Sequence, residues 1–495
     1  MPAPSINPRA VQIFSIAAVS IIVFAFVGMK DFSVGVDAGI HHAFATQLIE
    51  QRQWPLPSSS FLASMSYYPP AAHAVGAAVG LTIGSTFGGM LVVNAVALIA
   101  SCLALSYLLR RTSPAETVAS LIVLAILCAT LRKHRFVVGN EIVANFFYGQ
   151  FAGTAALLTC FVILAKARWQ FPLWLTVSSG FTFVVGWFFP LSAVHLAVAA
   201  AVLRLRPSLR LEGITIRLLE FTLTAAVLSA IAFFHPAMTD MKAIAANDGG
   251  ISISNGTMAI SVLFLILLAV PLLIIVSPRS NLVDPVALIA IIIGVVVPPI
   301  LQFALLYFFG LGSPYAVKKA GFLTGTLGLV VVAVLTMELA PFKRLAHALT
   351  YRPVVPFVGS LAGPSLALIV LASVYVGRAF TPLSEISRYQ DEMSSFIEKG
   401  SAKSLFGRTV SINSNYNWHT NYVVSFAQLH PSGEIQRVQN ALLPPTVSLT
   451  PGAELAVVAI GDATRMDPSC TKWVNGNMAA VAATCASDVP AKVPQ

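Results

Sequence analysis

Residues 283–308 read VDPVALIAIIIGVVVPPILQFALLYF. After Asp284 the run carries no ionisable side chain except Tyr307, and it is long enough to cross a hydrocarbon core as a helix, which takes about 20 apolar residues. Ten more runs resemble it, near 10–29, 88–109, 114–131, 148–165, 172–189, 190–203, 215–234, 257–276, 316–337 and 355–377. The chain is 57% hydrophobic and only 10% charged over 495 residues, with a mean hydropathy of +0.80. Those values place it among polytopic helical membrane proteins and outside the soluble globular range. The first run is too long for a signal-peptide core and is read as a retained span. The stretch 71–84 is apolar but short and glycine-rich, so it is expected to be a partly embedded helix rather than a crossing.

The distribution of basic residues sets the orientation. The formal charge of +10 does not gather into a basic soluble domain, so nucleic acid is excluded as a partner. With the N-terminus in the cytoplasm, the inner loops hold Arg110 and Arg111, Lys166 and Arg168, Arg204, Arg206, Arg210 and Arg217, Arg279, and Lys343, Arg344 and Arg352. Every inner loop is then basic, as the positive-inside rule requires. Counting 71–84 as a crossing would invert all the later loops. About eleven spans place the first loop, 30–87, and everything after 379 outside the cytoplasm.

The chain therefore divides into a membrane module, 1–379, and a C-terminal region, 380–495. The second opens with an amphipathic stretch, PLSEISRYQDEMSSFIEKG, and continues with strand-like alternation in RTVSINS, NYVVSFAQL, EIQRVQ and AELAVVAIG. It is expected to form a small α/β or mainly β domain of roughly a hundred residues, near the lower limit for an independent core. Cys470 and Cys485 lie in it, and in an oxidising compartment their pairing would close a short loop worth roughly 3 kcal/mol. Cys102, Cys128 and Cys160 lie in apolar runs and are read as small buried hydrophobes.

Ionisable groups are scarce, and several gather in the first loop: Asp37, His41, His42, Tyr67, Tyr68 and His73. If GIHHAFATQLIEQ is helical, Asp37 and His41 share a face, and Asp37 also suits the helix N-cap. The cluster exceeds what a cap needs, so a catalytic or hydrogen-bonding role is favoured. Asp37 with His41, His42 and His73 also has ligand-like spacing, which leaves a divalent metal open, and no organic cofactor is implied. In Tyr67-Tyr68-Pro69-Pro70 the tyrosines suit the interface belt and a lipid head group, and the second proline suits the first turn of the next helix. His195 is read as a satisfied interior histidine, and His235, before a proline at a span end, is ambiguous.

Two basic groups fall on the outer face against the general trend: Arg132-Lys133-His134-Arg135, and Lys318-Lys319 in GSPYAVKKAGF. Long side chains can snorkel to the interface. A phosphate held by charge-assisted hydrogen bonds accounts better for the lysine pair. For the arginine-rich run the two readings stay open.

Together these pieces resemble the GT-C superfamily of integral-membrane glycosyltransferases. Asp37 matches the acidic residue of that family's first outer loop, YYPPAAH (67–73) is similar to the proline motif that ends it, and Tyr315 with Lys318 and Lys319 resembles a late element that contacts the carrier phosphate. The resemblance covers about 1–380 in layout. It implies inverting transfer of a sugar from a polyprenyl-phosphate donor to a glycan, lipid or protein acceptor, at a bacterial inner membrane. Asp37 would be the general base, with His41 or His42 orienting it. Lys318, Lys319, Tyr315, Arg132 and Arg135 would hold the leaving phosphate, and Tyr67, Tyr68 and His73 would line the substrate. Asp37 is followed by Ala38, so the doubled acidic motif of some subfamilies is absent and the sugar stays open. The competing readings are a transporter or flippase of lipid-linked sugars, disfavoured because the charges sit at span ends, and an O-antigen-type polymerase, disfavoured by the short later loops.

Overall fold

In a computed structural model the described residues are 13, 16–24, 41–42, 44–45, 48–49, 67–130, 138–145, 147–206, 214–242, 282–350, 362–375, 409–412, 437–440, 454–459, 464, 466–475 and 478–486. Helical residues at 16–24 and between 41 and 49 precede α1 (Ala71–Ile83), α2 (Thr86–Leu109) and α3 (Pro114–Thr130). The short α4 (Asn140–Asn145) leads into α5 (Tyr148–Lys166), α6 (Phe171–Phe188), α7 (Pro190–Leu203), α8 (Ile214–Phe233) and α9 (Pro236–Lys242). Then come α10 (Pro285–Phe309), α11 (Pro314–Thr336), α12 (Ala340–Thr350) and α13 (Ala362–Tyr375). Among the described residues six helices, α2, α5, α6, α8, α10 and α11, are long and apolar enough to span, which makes the chain a polytopic helical membrane protein. The expected span 257–276, the amphipathic stretch after Thr381 and the run NYVVSFAQL lie outside the described residues.

The expected break at 189 is present: Phe189 is extended (φ −161°), and Pro190 then starts α7. One inner loop is corrected. Residues 340–350 form α12, because Phe342, Ala346 and Leu349 recur at helical spacing and place an apolar stripe on the bundle. Lys343 on its other face reaches Glu338 at 3.1 Å.

Helices α1 and α2 form a hairpin. Gly84 takes the left-handed conformation (φ 73°) that ends α1, and the Ser85 hydroxyl accepts the Gly88 N–H at 3.0 Å to begin α2. The two helices approach through glycine. A Cβ on Gly89 would stand 2.1 Å from the Gly76 carbonyl oxygen and 2.4 Å from the Gly80 nitrogen. Gly76 and Gly80 are four apart, the small-xxx-small spacing by which membrane helices bring backbones together when lipid offers no hydrophobic drive. A second close approach joins α7 to α10, where a Cβ on Gly294 would meet Ala199 nitrogen at 2.8 Å. His195 there donates from Nδ1 to the Gly294 carbonyl at 2.9 Å, so it is the satisfied interior histidine expected.

Beyond the helices, β1 (Thr409–Ile412), β2 (Arg437–Asn440), β3 (Leu455–Ala459), β4 (Thr471–Asn475) and β5 (Met478–Ala482) form one sheet, in the order β2-β1-β3-β5-β4. β1 runs parallel to both β2 and β3, while β3-β5 and β5-β4 are antiparallel. β4 and β5 lie beyond the alternating runs. Cys470, just before β4, is joined by a disulfide to Cys485 after β5, with Cα atoms 6.1 Å apart.

The glycine contact gives a paired test. Gly89→Val forces side-chain carbon into backbone and is expected to cost more than the roughly 1–3 kcal/mol of ordinary overpacking. Gly180→Ala meets nothing within 4 Å and should stay within about 1 kcal/mol of wild type. Melting temperature in detergent reads both; equal values for the two variants would remove the close-approach account.

Candidate functional site

The polar residues of the first loop and the late lysine pair converge at one end of the bundle. His73, in the first turn of α1, and His41 are buried, 0% and 2% exposed, and His41 Nδ1 lies 2.7 Å from His73 Nε2. One ring donates and the other accepts, so each nitrogen in that contact is committed to the partner histidine. Tyr148, at the start of α5, lies edge-on to His73 with ring centroids 5.2 Å apart. Its hydroxyl donates to the Ala72 carbonyl at 2.9 Å. Tyr68 meets His41 edge-on at 5.5 Å, and His42 meets Phe87 of α2 at 5.7 Å. Tyr67 is half-buried. Pro70 is the N-cap of α1, one position ahead of the first turn, and its carbonyl accepts the Ala74 N–H at 2.8 Å.

Helix α11 supplies the cations. Lys318 and Lys319 are 6% and 2% exposed, and Lys319 Nζ sits 2.8 Å from the centre of the Phe147 ring. The Gln150 side-chain amide donates to the Lys319 carbonyl at 2.8 Å, binding α5 to α11. Phe322, one turn on, packs edge-on against Phe147 at 6.1 Å. Thr326, a further turn on, accepts the Val138 N–H at 2.8 Å. Lys319, Phe322 and Thr326 thus form one face of α11 that holds the turn before α4.

That turn presents a carboxylate that the sequence reading passed over. Glu141 is fully buried; Oε2 accepts the Gly139 N–H at 2.9 Å, and Oε1 has no hydrogen-bond partner among the described residues. Gly139 is left-handed (φ 98°), which lets the chain turn tightly into the acid. Burial raises the Glu141 carboxyl to about 7, against the opposing pull of the Gly139 bond and the Lys319 charge. Burial holds His41 well below 6.5, and the nearby His73 and Lys319 lower it further. Burial alone lowers His42 to about 3, and burial outweighs a backbone hydrogen bond to bring His73 to about 4. The Lys319 charge therefore acts on both a histidine of the first loop and the carboxylate before α5.

Asp37, Arg132 and Arg135 lie outside the described residues, and Tyr315 lies in the first turn of α11 with its side chain outside them. His235 is structural: Nε2–H donates to the Phe183 carbonyl at 3.0 Å and Nδ1 accepts the Ala237 N–H at 3.2 Å. Among the described residues no group of three or more His, Cys, Asp or Glu is disposed to hold a metal ion.

No family model and no curated protein matches the chain. Among solved structures it is similar to ArnT from Cupriavidus metallidurans in the apo state, at 14% identity over 98% of this chain and 100% of that one, with a TM-score of 0.46. It is also similar to ArnT from the same organism bound to undecaprenyl phosphate, at 13% identity over 95% of this chain and 98% of that one, with a TM-score of 0.45. At that identity the likeness transfers no residue role.

The buried histidines imply acid sensitivity. They stay neutral in the fold, whereas an unfolded chain protonates them near 6.5. Their contribution is complete above pH 6.5 and is lost as pH falls through about 4, where His73 takes its proton. Glu141 has the opposite sign: its contribution is full below about 4.5 and is lost as pH rises through about 7. His73→Gln is expected to shrink the fall in melting temperature between pH 7.5 and pH 5. An unaltered fall would mean that His73 titrates as a free histidine.

Proposed function

We propose that the chain is a membrane glycosyltransferase that moves a sugar from a polyprenyl-phosphate carrier to an extracytoplasmic glycan, lipid or protein acceptor with inversion. The observation that carries this reading is the seat of Lys318 and Lys319. Both cations are buried at this end of the bundle, and intramembrane charge is retained where it has work to do. Glu141 lies within reach of the Lys319 charge, and burial keeps much of it protonated near neutrality.

In this reading the acceptor hydroxyl oxygen attacks the anomeric carbon opposite the carrier. The bond from that carbon to the phosphate oxygen breaks, and the electron pair leaves with the phosphate. Lys318 and Lys319 stabilise the charge that develops there. Asp37 takes the hydroxyl proton, a role that rests on its match to the family's acidic position; a carboxylate of ordinary pKa serves by position and by late proton transfer. By the same family match His41 or His42 would orient the base, and Tyr67, Tyr68 and His73 would line the substrate. Arg132, Arg135 and Tyr315 are further phosphate contacts by the same family match. The cluster would face outward from a bacterial inner membrane, with 380–495 as an extracytoplasmic domain. The Cys470–Cys485 disulfide supports that placement, since such bonds persist in oxidising compartments.

Incubating the purified chain with radiolabelled polyprenyl-phosphate sugars should release label from one lipid. Asp37→Asn is expected to insert normally and to lower transfer at least about 100-fold. Transfer at the wild-type rate would eliminate Asp37 as the base. Lys318→Ala with Lys319→Ala, checked for a retained melting transition, should raise the donor KM well above the change in acceptor KM. An equal rise in both would count against a phosphate seat.

A further inference from the structure

The opposite end of the bundle holds a cavity of about 660 Å³ that the proposed chemistry does not use. It lies between the C-terminal ends of α5 and α7 and the N-terminal ends of α6 and α8. Tyr148 and Lys166 mark the two ends of α5, separated by about 27 Å at 1.5 Å per residue. Five cations line this cavity, Lys166, Arg168, Arg204, Arg206 and Arg217, against two carboxylates, Glu220 and Asp284.

Both carboxylates are engaged. Arg204 pairs with Glu220. Asp284 Oδ1 accepts from Arg206 at 2.9 Å and from the Ala287 N–H at 3.1 Å, while Oδ2 accepts the Tyr107 hydroxyl at 2.7 Å. Lys166 and Arg168 also line the cavity and pair with neither acid. The positive-inside rule accounts for the sign of charge at this end. It does not account for the convergence of these groups on one aromatic-walled cavity. Arg204 lies 5.1 Å from the Trp174 ring, Lys166 lies 4.5 Å from the Tyr107 ring, and Trp169 at the wall is 37% exposed. An indole partly out of the protein beside cations is the arrangement found at a membrane–water boundary. The first turns of α6 and α8 line the cavity, and among the described residues these are the two spans least covered by protein. Acyl chains can lie along those faces while a head group enters the cavity.

We propose that this cavity binds the phosphate ester of an anionic glycerophospholipid, at a site separate from the lysine pair. Lys166 and Arg168 hold the phosphate, and the exposed faces of α6 and α8 take the tails. The site does not depend on what the other end of the bundle catalyses.

The full chain, purified and delipidated, is titrated with dioleoylphosphatidylglycerol, with dioleoylphosphatidylcholine and with inorganic phosphate, and bound lipid and melting temperature are followed. Saturable binding and a raised melting temperature are expected with phosphatidylglycerol alone. Lys166→Gln with Arg168→Gln changes two exposed side chains and should weaken phosphatidylglycerol roughly fivefold per cation removed. The charge-keeping pair Lys166→Arg with Arg168→Lys should restore it. Equal binding of phosphatidylcholine, or unchanged affinity in the neutral double variant, would overturn the site. The same saturable shift with inorganic phosphate, and none with phosphatidylglycerol, would overturn the lipid as its occupant.

Discussion

The polar cluster depends on how closely α1 approaches α2. Gly76 serves two neighbours at once: its carbonyl lies against Gly89 of α2, and a Cβ on it would stand 2.6 Å from the Tyr148 hydroxyl. With hydrogen at that position, Tyr148 reaches the Ala72 carbonyl, and its ring closes over His73. In lipid the helices gain nothing by hiding apolar surface from water, so backbone proximity and dispersion must supply the contact. The glycines that join the hairpin are therefore also what keeps water from the histidine pair. Burial of His41 and His73 is a consequence of helix packing rather than a property of the loop that carries His41.

An apolar bundle also decides where charge can be placed. At the basic end, Arg111 is buried and still finds Glu338 at 3.2 Å and the Val334 carbonyl at 2.9 Å, so α2 and α11 are tied where their ends meet. Arg206 and Tyr107 tie α7 and α2 to the first turn of α10 through Asp284 in the same way. Each of these ions has a partner of opposite sign or a carbonyl, as low-dielectric surroundings require. At the other end Glu141 lies within reach of the Lys319 charge and gives one oxygen to the Gly139 N–H.

The long spans were legible because one physical quantity, a length of apolar chain, fixes them. Helix α7 was legible through Pro190, and β1, β2 and β3 through alternation. Helix α12 was not, because its stripe of Phe342, Ala346 and Leu349 is interleaved with Lys343 and Arg344 and reads as a basic loop. Lys318 and Lys319 stood out because they contradict the charge rule for their face. Glu141 contradicted nothing: a single acid after Gly139-Asn140 looks like any loop residue, and only the turn pinned by Thr326 brings it near Lys319. The first-loop histidines were read as loop groups available to substrate. Their mutual bond could not be read, because it joins His41 to His73 across a chain segment whose path the sequence does not give.

Lys319 links the halves of the site through its charge. Its field lowers both the His41 imidazole and the Glu141 carboxyl, favouring neutral histidine and ionised glutamate. An anion seated on that lysine would cancel the field, and both groups would then hold a proton more readily. Under the reading proposed above, arrival of the donor phosphate would draw a proton toward Glu141, and departure of the carrier would release it. A single cation in a low-dielectric seat can in this way couple occupancy of a phosphate site to the protonation of an acid contributed by a different helix.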